Sequence, residues 1–133
     1  MTQPTVLVIE DNALNRKLVR VLLSQEPFSL LFAETAEEGL ELAREISPDL
    51  ILMDVRLPGI DGLEATRRIR SDEQLRDTTV VAFTAHAMRG DREKAFSAGC
   101  DGYITKPIDT RNFAEQVHRF LASPAQGKGV KYQ

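Results

Sequence analysis

The stretch VLVIEDN, from Val6 to Asn12, joins four apolar residues to two adjacent acids and an asparagine. An unbroken apolar run is typical of a strand in a parallel sheet covered on both faces, where polar and apolar residues no longer alternate. Glu10 and Asp11 stand side by side where this strand ends, although their negative charges repel each other. The stretch therefore predicts a buried strand and raises the question of what the paired acids do.

The same order, a short apolar run followed by a segment of helical period, recurs along the chain. The predicted strands are Thr5–Ile9, Leu30–Ala33, Leu50–Met53, Val80–Phe83 and Gly102–Thr105. Apolar residues recur every three or four positions in the predicted helical segments, which are residues 13–25, 36–46, 62–70, 87–99 and 112–122. Five β-then-α units in succession predict an α/β fold with a doubly wound parallel sheet and right-handed crossovers.

The length of 133 residues and the 42% hydrophobic content predict one domain with a single core. We expect this domain to span residues 1–122. The last segment, SPAQGKGVKYQ, carries Pro, Gly and Lys without periodicity, which predicts a flexible tail over residues 123–133.

The composition also argues against several classes of protein. No apolar run approaches the ~20 residues of a membrane span, and the first residues lack the pattern of a secretory signal, so we expect a cytoplasmic protein with no membrane contact. A net charge of −3 without a cluster of Lys and Arg argues against direct nucleic-acid binding. The single cysteine, Cys100, agrees with a reducing compartment. His86 and His118 lack the spacing of metal ligands, which predicts surface or packing roles.

Polar residues follow four of the five predicted strands at their carboxyl ends. Glu10 and Asp11 follow the first strand, Asp54 the third, Thr84 the fourth and Lys106 the fifth. Ligands of open α/β sheets bind outside the carboxyl ends of the strands. We therefore expect three carboxylates, one hydroxyl and one ammonium group to meet at one edge of the sheet.

Three clustered carboxylates need a counter-charge, since two unit charges about 4 Å apart repel by roughly 4 kcal/mol at an effective dielectric constant near 20. Oxygen ligands without a nearby set of His or Cys favour a hard cation, and proteins usually hold Mg²⁺ with one or two carboxylates and several waters. The sequence therefore predicts a Mg²⁺ site.

Simpler roles remain open for these residues. Asp11 or Asn12 could cap the helix that follows, because Asp and Asn are both favoured at that position. Thr84 could likewise cap a helix, and Lys106 taken alone could be an ordinary surface lysine.

Four segments together resemble the motif blocks of the response regulator receiver family, the CheY-like domains of two-component signalling. These segments are VLVIEDN, PDLILMDVRLPGIDGLE, VVAFTAHA and AGCDGYITKPID, and the resemblance covers residues 5–122. It implies a flavodoxin-like fold of five parallel strands in the order 2-1-3-4-5.

The resemblance also implies roles for the acids. Asp54 would be the phosphoryl acceptor and, with Asp11, a direct ligand of Mg²⁺. Glu10 would bind the ion through water or orient the other acids, and the backbone carbonyl of Arg56 would complete the ligands from the protein.

Further roles follow from the resemblance for residues at the ends of the last two strands. Thr84 and Lys106 would sense the phosphoryl group, and the Lys106–Pro107 bond would be cis. Tyr103 resembles the switch aromatic of the family, although its β propensity alone would explain a Tyr in this strand.

We expect a phosphohistidine of a histidine kinase or histidine phosphotransfer protein to be the donor, because the sequence lacks a Gly-rich nucleotide loop. The chain would accept phosphate and hydrolyse its own acyl phosphate slowly, without turning over outside substrates. Phosphorylation would change the surface of the fourth helix, fifth strand and fifth helix, which an unknown downstream protein would bind. A homodimer is a further possible assembly. The docking mode of the family implies partner contacts at Leu14, Asn15, Leu18, Pro107 and Ile108.

We expect a single-domain response regulator, and three alternatives remain beside it. The chain could be a receiver fragment of a hybrid histidine kinase or a larger regulator. A phosphatase of the haloacid dehalogenase type would need a second acid two residues after the nucleophile, where this sequence has Arg56. A flavodoxin is disfavoured, since the acids of EDN would repel the flavin phosphate.

Overall fold

Five strands and five helices alternate along the chain in the computed structural model, which describes residues 3–85 and 90–122. The strands are β1 (Thr5–Ile9), β2 (Ser29–Ala33), β3 (Leu50–Asp54), β4 (Thr79–Thr84) and β5 (Gly102–Thr105). The helices are α1 (Ala13–Leu23), α2 (Ala36–Ile46), α3 (Gly62–Ser71), α4 (Asp91–Ala98) and α5 (Phe113–Ala122). The predicted βα succession is confirmed.

All strands pair in parallel, and their order in the sheet is β2-β1-β3-β4-β5. This is the flavodoxin-like order that the resemblance implied. β1 and β3 are neighbours, with Ile9 opposite Met53. The strand order reverses between them, because β2 lies on one side of this pair and β4 and β5 lie on the other. The residues after these two strands therefore share the edge where open α/β sheets bind their ligands.

Side chains of the central strands point alternately into two cores, one on each face of the sheet. Leu7 and Ile51 belong to the core under α2, α3 and α4, whereas Val8 and Leu52 belong to the core under α1 and α5. All residues of β3 and β4 are buried. Burial on both faces explains why these strands are continuous apolar runs.

Most element ends lie within one or two residues of the prediction. β3 and β4 extend to Asp54 and Thr84, so both polar residues belong to the strands that were predicted to precede them. The part of the predicted fourth helix before residue 90, His86 and the predicted tail at 123–133 lie outside the described residues. Among the helices of residues 3–85 and 90–122, none has the length and hydrophobicity of a membrane span.

Candidate functional site

The ends of β1, β3 and β5 bring two acids and a lysine into direct contact. The ammonium Nζ of Lys106 lies 2.5 Å from Oε1 of Glu10 and 3.3 Å from Oδ2 of Asp54. Glu10 is fully buried and Asp54 is 5% exposed. The side chain of Lys106 is 12% exposed and lies over the Phe83 ring, so an ordinary surface role for this lysine is wrong.

The predicted acid cluster also forms. Glu10, Asp11 and Asp54 each offer a carboxylate oxygen, and these three oxygens lie within 4.8 Å of one another. The donors are all hard oxygens, and the ammonium group of Lys106 contacts two of the three carboxylates, those of Glu10 and Asp54. This donor set fits a hard divalent cation such as Mg²⁺, with Asp11 on the exposed side where the ion could keep its waters.

Burial, and next the negative charge of Glu10, raises the pKa of Asp54 to about 6, while Lys106 and the backbone N–H of Arg56 oppose the rise. The ionised form of Asp54 is therefore held in an unfavourable environment, even with a lysine beside it. A cation bound among the acids would offset this cost.

The open question of the helix cap is settled in favour of Asn12. Its Oδ1 accepts a hydrogen bond from the backbone N–H of Asn15 at 3.0 Å, and its own backbone N–H donates to Oε2 of Glu10 at 3.1 Å. Since Asn12 caps α1, the capping role does not account for Asp11, whose carboxylate belongs to the acid cluster.

A tight loop holds Asp54 at the end of β3. The backbone N–H of Arg56 donates to Oδ1 of Asp54 at 3.1 Å, and the N–H of Gly62 donates to the carbonyl of Val55. A Cβ added at Gly62 would lie 2.2 Å from the backbone oxygen of Asp54, so only glycine lets α3 begin this close to the acid. The Arg56 side chain is exposed, and its carbonyl as a metal ligand stays a prediction.

Thr84 and Tyr103 line one small cavity beside the acids. Thr84 is 1% exposed and Tyr103 is half-buried. The cavity, of about 50 Å³, is also lined by Val55, Leu63 and Lys94, among other residues. Burial, and next the charge of Asp91, raises the pKa of Tyr103. The two residues with a predicted switch role therefore share a space into which a side chain could move.

The Lys106–Pro107 peptide bond is cis, as the resemblance implied. The backbone N–H of Lys106 donates to the carbonyl of Thr84 at 2.8 Å, which ties the end of β5 to the end of β4. Both residues with predicted contacts to the phosphoryl group are thus held by neighbouring strand ends.

The predicted partner residues differ in exposure. Leu14 is 77% exposed and Pro107 is exposed, while Asn15 and Leu18 are half-buried. Ile108 is 9% exposed and packs in the core under α1 and α5, so it presents little surface to a partner. Their contacts with a partner stay predictions.

One residue near the site was not predicted. Arg16 donates a hydrogen bond from Nη1 to the backbone carbonyl of Glu10 at 2.9 Å. Its sequence position offers no signal for this contact, which depends on how α1 packs.

Comparisons with known proteins agree with this geometry. The family model of the response regulator receiver domain matches residues 6–118. The polar-differentiation response regulator DivK of Brucella ovis is 44% identical over 117 residues, which is 88% of this chain and 95% of that protein.

Solved structures are also similar. A two-component response regulator of the LuxR family from Aurantimonas has a TM-score of 0.83 and 31% identity, over 92% of this chain and 87% of that one. The receiver domain of the sensor histidine kinase PA1611 from Pseudomonas aeruginosa has a TM-score of 0.83 and 32% identity, over 92% of this chain and 100% of that one. That domain was solved with a magnesium ion coordinated in its active site cleft.

Proposed function

The chain belongs to the response regulator receiver family, and from this premise we propose that it accepts a phosphoryl group on Asp54 from a phosphohistidine of a partner protein. The observation that best supports this is the pair of contacts from Lys106 to Glu10 and Asp54, beside the cluster of three acids. The pair sets a nucleophilic carboxylate next to a fixed positive charge.

In the proposed reaction, a carboxylate oxygen of Asp54 attacks phosphorus in line with the bond to the donor histidine. The new O–P bond forms as the P–N bond breaks, and the bonding electrons leave with the imidazole nitrogen. With its pKa raised to about 6, Asp54 is mostly ionised at neutral pH and so remains nucleophilic. Lys106 stabilises negative charge on the transferred group, which is the main task of a protein in phosphoryl transfer.

Glu10, Asp11 and Asp54 would hold Mg²⁺, with Asp11 and Asp54 as direct ligands and the carbonyl of Arg56 as a further one. When bound, the ion would supply positive charge beside the oxygens of the phosphoryl group. Glu10 has a second task, because its carboxylate binds Lys106 and so sets where the ammonium lies.

We expect the chain to act as an acceptor that hydrolyses its acyl phosphate slowly, rather than as a turnover enzyme. The donor would be a histidine kinase or a histidine phosphotransfer protein. Leu14 and Pro107, which are exposed, support docking across α1 and the loop after β5, with Asn15 and Leu18 beside Leu14.

The signal would arise when Thr84 and Lys106 move to bind the phosphoryl oxygens. Charged hydrogen bonds contribute about 1.5–3 kcal/mol each, so two of them approach the roughly 5.5 kcal/mol that shifts a two-state equilibrium from 1:99 to 99:1. The cavity that Thr84 shares with Tyr103 supports an inward movement of the tyrosine. This movement would change the surface of α4, β5 and α5 that a downstream protein contacts.

A second candidate is a receiver that forms part of a hybrid histidine kinase. The 32% identity to the PA1611 receiver favours it, whereas the similarity to DivK over 95% of that protein favours a separate response regulator. The size of the native protein, detected by an antibody in cells, distinguishes the two.

The test is phosphorylation by acetyl phosphate with Mg²⁺, followed by mass mapping of the modified residue. We expect one phosphoryl group on Asp54, none in Asp54→Ala, and a strong loss in Asp11→Asn or with a chelator. The matched control is Glu41→Gln on the exposed side of α2, which should be labelled like the wild type. Stoichiometric labelling of Asp54→Ala, or labelling that is indifferent to Mg²⁺, would contradict the proposal.

A further inference from the structure

The side chain of Arg16 reaches from α1 back to the end of β1. Its Nη1 donates to the backbone carbonyl oxygen of Glu10 at 2.9 Å, and its Nη2 lies 3.6 Å from Oε2 of Glu34. The Arg16 side chain is 18% exposed, whereas that of Glu34 is 68% exposed. An ion pair with so exposed a partner contributes little, so the contact with the Glu10 carbonyl is the more important one.

Polar groups of Glu10 are held on several sides. Its backbone N–H donates to the carbonyl of Ala33 at 2.9 Å, and its carboxylate accepts from Lys106 and from the N–H of Asn12. The contact with Arg16 adds the backbone carbonyl. That oxygen belongs to the planar peptide unit that also carries the nitrogen and Cα of Asp11, so holding the oxygen fixes the direction in which the chain enters Asp11.

We propose that Arg16 is a positioning residue for the metal site. By holding the Glu10 carbonyl, it keeps the Asp11 carboxylate within reach of Glu10 and Asp54. Asp11 is exposed and follows the last residue of β1 by two positions, so its position depends on this peptide unit. The inference rests on the proposed function, since it concerns the cation that these acids would bind.

The charge of Arg16 and its positioning role predict opposite effects on cation binding. A guanidinium near the acids repels a divalent cation, so charge alone predicts that removal of Arg16 strengthens Mg²⁺ binding. Loss of positioning predicts weaker binding, because the three carboxylates no longer converge. The sign of the change in Mg²⁺ affinity therefore separates the two effects.

The experiment is a titration of the full chain with Mg²⁺, in which NMR of the backbone amides measures the Mg²⁺ affinity. Arg16→Met keeps most of the aliphatic length but removes the charge and every donor, and we expect roughly tenfold weaker binding, as is typical when a residue that orients metal ligands is lost. Arg16→Lys keeps the charge and one donor group, so we expect a smaller loss, below about tenfold. Glu34→Gln is the matched control, because it removes only the exposed ion pair and should change the affinity less than twofold.

Urea unfolding of each variant checks that the titrated protein is folded. Equal or tighter Mg²⁺ binding by folded Arg16→Met overturns the proposed role. Should this variant not fold, Arg16→Lys decides, and an affinity equal to that of the wild type overturns the role. A wild-type chain that binds no Mg²⁺ overturns the proposed function itself, whereas wild-type binding with unchanged variants overturns only the role of Arg16.

Discussion

Replacing Asp54 with asparagine should stabilise the protein in the absence of divalent cations. Asparagine has nearly the shape of a protonated aspartate but carries no charge. Burial, and next Glu10, raises the pKa of Asp54 from 3.8 to about 6 in the folded chain. The ionised carboxylate therefore destabilises the folded state, and Asp54→Asn removes this cost.

The magnitude follows from the shift of about two pKa units, each of which corresponds to 1.36 kcal/mol. Because the folded pKa lies above the unfolded value, the cost is small below pH 3.8, grows as the pH rises, and is complete above pH 6. We expect Asp54→Asn to raise the free energy of unfolding by up to about 3 kcal/mol at pH 7.5 and by roughly 0.5 kcal/mol at pH 4.

Urea denaturation in the presence of a chelator, monitored by circular dichroism at both pH values, measures this difference in the free energy of unfolding between the variant and the wild type. With a slope of about 2 kcal/mol per molar urea, the midpoint at pH 7.5 should rise by about 1.5 M. Added Mg²⁺ should narrow the gap, since the ion would stabilise the wild type. Glu41→Gln, at an exposed position, is the control for loss of a negative charge. A midpoint that is unchanged or lower at pH 7.5, or that rises equally at both pH values, would refute this reasoning.

Three further predictions concern the surroundings of the site. Gly62→Ala should slow labelling by acetyl phosphate, because its Cβ would meet the Asp54 backbone. The control is Gly102→Ala, whose Cβ would meet the Phe120 ring at the other end of the sheet; we expect both variants to lose about 1–3 kcal/mol of stability, but only Gly62→Ala to be labelled more slowly. Equal labelling rates in the two variants would contradict the role of Gly62. Burial raises the pKa of the Cys100 thiol to about 11, so a thiol reagent at pH 8 should label it only as the chain unfolds, and rapid stoichiometric labelling of the native protein would contradict this. Thr84→Ala should still be phosphorylated but should lose the change in downstream affinity, and an unchanged affinity would count against the switch.

The strands and helices were predictable because their signals are local. Continuous apolar runs such as LILM and VVAF mark strands buried on both faces, and the three- and four-residue spacing marks the helices. The pairing order of the strands was different, since it came from the resemblance to a family. Local patterns fix which segments form strands but not which segments become neighbours.

The convergence of the acids with Lys106 was also predictable, because parallel strands end at one edge of the sheet. The choice between Asp11 and Asn12 as the cap was not, since both side chains can accept the same hydrogen bond. Arg16 and Ile108 show a second limit. The contact of Arg16 with a strand-end carbonyl and the burial of Ile108 depend on how α1 and α5 pack on the sheet, which no short segment encodes.

The helices α1 and α5 pack on the same core and are neighbours on one face of the sheet. A donor that docks on α1 and on the loop after β5 would cover the protein surface next to α5. This helix belongs to the surface proposed for the downstream protein. Binding of the two partners would then be mutually exclusive. The donor would then have to leave before the downstream protein binds, so the phosphorylated chain would reach that protein by diffusion and not within a complex of all three proteins.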